Sequence, residues 1–381
     1  MRFLLSIFFI LFSIVSFAAD HYAITGTTWG AGGTTWSSSS GGAADLGDPA
    51  STDAVIFDAN SPNVTISGSP VGLSLTTTGY NGTISGSANL SISGNITLSS
   101  TTTISMGSNV LSMIATGTFT QNSATVTVNL LRFNGSGQTF DLGSAVSITG
   151  GGSGSGQFNP IQGTLNTNNY AISCEQFSIS GSSTRTINMG SSVVTITGTG
   201  TALNAGTVTN LTFNRGTSQF KFTNTTNTAI TLAGGGLTFY DVWFSRGGST
   251  ATNTITGTNT FNDLKDDGTA AHTIVFPNVT TTVSSWTISG TSGNLITLSR
   301  TGGSGTWTIS DASGTNSSSY VSISNSTATG GATWNANDGT STDGGGNTGW
   351  IFTSSTTTPV LGAVGNMALN NIKNQIKYGR H

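Results

Sequence analysis

One stretch of the chain gathers groups able to do chemistry. Tyr240-Asp241-Val242-Trp243-Phe244-Ser245-Arg246 is followed by Asp263-Leu264-Lys265-Asp266-Asp267 and then His272. Glycoside hydrolysis and polysaccharide cleavage need two groups facing one bond, an acid and a nucleophile or base. Asp241, Asp263, Asp266 and Asp267 are the candidate carboxylates, and Trp243 is a candidate ring for stacking on a sugar. Asp241 and Asp263 stand about one repeat of roughly 20–25 residues apart, which would set them side by side on adjacent coils. The competing reading makes Asp263–Gly268 a polar loop, with Lys265 offsetting part of its charge. Only 7% of the residues are charged, so any cluster stands out, and the loop is the expectation.

Other chemistries have less to work with. His21 and His381 lie near the chain ends, so a serine or cysteine triad would have to use His272. His/Cys metal spacing is absent. The glycine-rich run at 150–156 lacks the Lys-Ser or Lys-Thr of a phosphate cradle and reads as a surface loop. Asn337, Asp338, Asp343 and Asn347 are oxygen ligands of the kind calcium takes, but they miss the twelve-residue loop pattern. Such clusters also make turns, which is the reading preferred here; calcium is the alternative, and no other cofactor is implied. Trp29 and Trp36 are either a terminal cap or a sugar platform, the cap being preferred. Thr-x-Thr pairs such as Thr125-Val126-Thr127 and Thr195-Ile196-Thr197 put two hydroxyls on one face, as ice- or crystal-binding surfaces require. Their starting points are irregular, which predicts that they do not align from coil to coil and only keep the outer face soluble.

The elements that must position these groups are short β words that keep returning. Thr-Ile-Ser-Gly occurs at 65–68, 83–86 and 287–290, and Trp286-Thr-Ile-Ser comes back at Trp307. Such periods signal stacked repeats, in which one coil buries its apolar face only against the next. Val126, Ile196, Ile255, Ile288 and Ile309 stand singly between Thr or Ser, and Val128 between Thr and Asn, the alternation of half-buried strands rather than of disorder. The single cysteine, Cys174, excludes an intramolecular disulfide framework and reads as a small core residue. A net charge of −3 without a basic stripe leaves nucleic acid no footprint. Coils of this length imply about 12–15 turns and a rod of order 60–70 Å.

Both ends depart from the body. Residues 1–18 combine Arg2, an apolar run and small residues at Ser16 and Ala18, a secretory leader. Residues 19–60 read as an N-terminal cap, 61–324 as the solenoid body, and 325–353, with Trp334 and Trp350, as a closing cap. In the tail, 354–381, Val360, Val364, Ala368, Ile372 and Ile376 recur at helical spacing, with Lys373, Lys377 and Arg380 in the last turns. Such a tail could dock on the solenoid end, form a homotrimer or rest on an anionic membrane surface.

Phe261-Asn-Asp-Leu264, the stretch Trp286–Thr297, Gly302-Gly-Ser-Gly-Thr-Trp-Thr308 and the run from Tyr320 to Phe352 resemble a family of β-solenoid surface proteins of phage and environmental bacteria. Ala54–Asn60 is similar to that family's opening segment. The resemblance implies the fold and a tail-fibre- or adhesin-like part, and no catalytic motif travels with it. The expectation is an all-β, right-handed parallel β-solenoid with aromatic end caps and a short helical tail. Its expected role is attachment at a cell surface or outside the cell, to a glycan or an envelope partner. A polysaccharide lyase or glycoside hydrolase, and a phage spike, are the alternatives.

Overall fold

The computed structural model of the chain describes residues 18–24, 26–150, 154–302 and 304–353. They form a parallel β-solenoid of about 13 turns, with no helix among the described residues. The expected tail helix and all but the last residue of the leader lie outside them.

Alternation explains the strands. Thr83-Ile84-Ser85, Thr103-Ile104-Ser105 and Thr125-Val126-Thr127 stack in register, and the apolar residue of each points inward. The column Val64–Ile84–Ile104–Val126–Ile148 is buried throughout. β-Branched residues suit such pleated, half-buried positions. The named Thr-x-Thr pairs do not fall on successive coils, Thr125/Thr127 and Thr195/Thr197 being three rungs apart, but mixed Thr and Ser pairs do align on this face. Hydroxyls at 83/85, 103/105, 125/127 and 147/149 stand rung above rung, about 4.8 Å apart. Turns absorb the differences in coil length, so irregular starting points in sequence become regular ones in space. Asn122, Asn168 and Asn169 take positive φ in those turns, which Asn tolerates. Gly190 and Gly216 (φ 55° each) stack so closely that a Cβ on Gly216 would lie 2.1 Å from the Gly190 carbonyl oxygen.

Early coils carry three strands each, and Leu130–Leu142 and Gln157–Asn166 run across two faces. Further on, Thr238–Phe244, Thr260–Asp266 and Thr280–Ile288 are longer strands that bend. In each, two consecutive residues face out between inward ones: Tyr240-Asp241, Asn262-Asp263 and Ser284-Ser285.

The ladders already include Asp20–Ala23, which pairs in parallel with Ala54–Asp58, and they continue to Trp350–Phe352. Trp36–Ser37 runs antiparallel along the other edge of Asp20–Ala23. No separate aromatic caps stand at the ends of the described residues. Trp29, Trp36, Trp334 and Trp350 belong to the one continuous core, because each ring fills space over the coil next to it.

Candidate functional site

The bend places the acidic pair. Asp241 pairs with Asp263 across adjacent rungs, and Ser285 follows in the same row, so the expected adjacency is present. Its setting is not a cleft. The two carboxylates sit where the strand turns outward, a convex corner from which side chains diverge. Each is held by its neighbours: Asn262 Nδ2 donates to Asp241 Oδ1 at 3.1 Å, and Thr287 Oγ1 donates to Asp263 Oδ1 at 3.2 Å.

Two residues past the corner runs a second row, Thr195–Lys221–Trp243–Lys265–Thr287. Lys221 Nζ lies 3.7 Å and Lys265 Nζ 4.1 Å from the centre of the Trp243 ring. One lysine comes from the rung before and the other from the rung after, so both ring faces are occupied. Trp243 is therefore no sugar platform, since cation–π attraction fills the faces a sugar would need. What the surface presents instead is a pair of ammonium groups pinned in place, beside a row of two carboxylates. Arg215 stacks on Tyr240 in the same way, at 5.1 Å.

Asp266 goes elsewhere. It occupies the inward column Cys174–Ile196–Phe222–Phe244–Asp266–Ile288, a position filled by apolar residues on the other rungs. A carboxylate there demands partners, and it has them. His272 Nε2 lies 3.0 Å from Oδ2, Asn253 Nδ2 donates to Oδ2 at 3.3 Å, and the Gly268 amide donates to Oδ1 at 2.8 Å. Arg246 donates to Asn253 Oδ1 at 2.8 Å and to the carbonyls of Asn224, Thr226 and Thr228. Both ring nitrogens of His272 face oxygen acceptors, Asp266 and the Ala270 carbonyl, which suits the imidazolium. Burial alone would lower its pKa, and Arg246 opposes protonation too. The Asp266 bond and charge, with the Ala270 carbonyl, outweigh both and hold the pKa above its ordinary 6.5. Burial lowers the Arg246 pKa, and Asp266 counters it. This network is structural. Asp266 is 4% exposed and His272 7%, so neither an acid catalyst nor a triad base reaches substrate there. Asp267 is exposed one residue on, outside the row of Asp241 and Asp263. The four candidate carboxylates thus face three directions, because the strand parity that turns Asp263 out turns Asp266 in.

Trp29 and Trp36 are also withdrawn from binding. Both are fully buried, their centroids 5.7 Å apart, and Trp36 Nε1 donates to Asp48 at 3.1 Å. The proposed calcium ligands do not converge either. The Ser319 hydroxyl first, then the Thr340 hydroxyl and amide, bond to Asp338 and hold its carboxyl below the usual range. Asp343 accepts from Gly345 and Asn347, whose amide also donates to the Ile323 carbonyl at 2.7 Å. Asp338 and Asp343 each close a local turn, Asn347 ties its turn to the coil before, and no group of three or more His, Cys, Asp or Glu suits a metal among the described residues. Cys174 is buried as expected, which pushes its thiol pKa up.

Sequence reasoning missed a cleft. The strand Val146–Thr149 changes partner halfway along its length. Ile148 and Thr149 pair back onto Val126 and Thr127, whereas Val146 and Ser147 pair forward onto Ile172 and Ser173. A strand tilted this way leaves a gap on each side, and a side chain fills each gap. Gln121 Nε2 donates to the carbonyls of Ala124 (2.7 Å) and Ser147 (2.6 Å), and its Oε1 accepts from the Ser147 amide (2.8 Å). Its carboxamide acts as a surrogate peptide group. Across the other gap, Glu175 Oε1 accepts from the Gly150 amide at 2.8 Å. An open cleft of about 450 Å³ lies over the first gap, lined by Thr125, Val126, Val146, Ser147, Ile172 and Thr195 among others. The only signal for it in the sequence is a lone Gln in a Thr/Ser context, which carries no period.

Comparison with family models, with curated proteins and with solved structures gives no match for this chain.

Proposed function

We propose that the protein is an exported attachment module that holds an envelope polysaccharide against the flank of its solenoid without cleaving it. The observation that carries this is the strip of Lys221, Trp243 and Lys265 beside Asp241 and Asp263. Binding surfaces gain from side chains already fixed in place, since less ordering entropy remains to be lost on contact. Both lysines are held by the indole they flank, and both carboxylates by cross-rung hydrogen bonds. Cleavage would need a concave, water-excluding site in which the two acids converge on one bond. A convex corner offers neither. The leader-like sequence at 1–18 supports export, and Lys373, Lys377 and Arg380 offer basic groups for a second contact with an envelope.

Polysaccharide binding and digestion by residues 19–381 test the reading. Wild type should retain polysaccharide and release no new reducing ends. The Lys221→Ala/Lys265→Ala variant should bind at least about tenfold more weakly, a loss of 1.4 kcal/mol or more. Chain shortening by wild type that disappears in Asp241→Asn/Asp263→Asn would make this an enzyme and sink the proposal.

A further inference from the structure

The cleft beside Val146–Thr149 is a feature the attachment strip does not use. Its lining includes none of Lys221, Trp243, Lys265, Asp241 and Asp263, and it ends at Thr195, one rung before Lys221 in the same row. Val126, Val146 and Ile172 turn their side chains into the core, so the apolar surface of the cleft comes from Ala145, Ala171 and the methyl groups of its threonines. Its walls carry hydroxyls on successive rungs, Thr125, Ser147, Ser173 and Thr195, the last three in the spacing the ladder imposes and the first across the gap that Gln121 fills. No lining residue is ionisable in the physiological range. The Gln121 amide is spent on Ala124 and Ser147, so it shapes the cleft and leaves recognition to the hydroxyls. At about 450 Å³ the opening falls in the range of small-molecule sites.

We infer that this cleft is a second binding site, for a sugar unit of a neutral polysaccharide. A pyranose ring has a face of C–H groups and a rim of hydroxyls, which matches the methyl groups of Ala145, Ala171 and the threonines set among Thr and Ser hydroxyls. A charged sugar would lose hydration among these residues and meet its first counter-charge only at Lys221, one rung past the end of the cleft. The strand-to-strand rank of hydroxyls runs along the solenoid axis, so a chain lying in the cleft crosses the rungs and meets the same donors at each step. Thr103 and Ser105 continue that rank beyond the cleft and would receive the next units.

The test uses residues 19–381 and neutral hexasaccharides of glucose, mannose and N-acetylglucosamine, with oligogalacturonate as the charged comparison, read by titration calorimetry. Ala145 and Ala171 are exposed lining residues, so Ala145→Trp and Ala171→Trp fill the cleft from its rim without entering the core. An unchanged thermal midpoint confirms that each variant folds. At least one neutral hexasaccharide should bind wild type and lose about tenfold or more in affinity with either tryptophan. The same ligand should bind Lys265→Ala, three rungs past Thr195, unchanged, which separates this site from the strip. The inference is overturned if no neutral hexasaccharide binds at millimolar concentration, if both tryptophan variants bind like wild type, or if only oligogalacturonate binds.

Discussion

The rungs around Val146–Thr149 and those around Thr260–Asp266 solve opposite problems with polar side chains. In the first region the backbone ladder breaks, and Gln121 and Glu175 supply the missing hydrogen bonds from side chains. In the second the ladder is intact, and the polar groups answer one another instead. Asp266, His272, Asn253 and Arg246 close a network inside the core, while Lys221 and Lys265 close on Trp243 outside it. A parallel ladder thus tolerates a defect in its backbone or in its core pattern, provided every exposed need is met locally. The first kind of defect opens a cleft. The second leaves a smooth wall and a titratable interior.

The comparison breaks most easily at Asp266. Asp266→Ala strips a charge from a network that also holds buried Arg246, and should destabilise by about 3–5 kcal/mol in urea unfolding. Gln121→Ala comes next. It leaves one amide and two carbonyls without partners, a cost of about 2–3 kcal/mol because water reaches them only through the cleft. Amide exchange at Ser147 should quicken in this variant, and no quickening would show that the carboxamide is dispensable. A third test separates the regions by pH. The folded pKa of His272 lies above 6.5, so its contribution is complete below that value and fades as pH rises through the folded pKa. The thermal midpoint should fall across that window in wild type and lose this dependence in Asp266→Asn, whereas Gln121→Ala should keep it. The smallest effect belongs to the outer wall. Lys221→Ala and Lys265→Ala should each cost about 0.5–1 kcal/mol, and a double-mutant cycle with Trp243→Leu should show the coupling.

Much of the fold was legible in the residues. Alternation in Thr103-Ile104-Ser105 and its relatives gave strands, and recurrence of the same words gave stacking. The step from Asp241 to Asp263 gave their adjacency. The site was legible only in part. Asp263-Leu264-Lys265-Asp266 looks like a charged loop because charge is rare here, yet parity sends its last residue into the core. Trp243 looked like a platform because nothing in the sequence says that Lys221 and Lys265 fall in its row. Mixed words such as Thr103-Ile104-Ser105 align with Thr125-Val126-Thr127 despite irregular spacing along the chain, and the turns that correct it are invisible in the sequence.

The amino-acid sequence by itself determined that this chain winds into strands with apolar residues inward, since a period of two and β-branched side chains are local properties. Only the tertiary structure decided which residues share a row, because rung register depends on how much chain each turn consumes. It also decided where the ladder breaks. Strand tilt at Val146–Thr149 is set by two neighbouring rungs at once, and no local pattern records it.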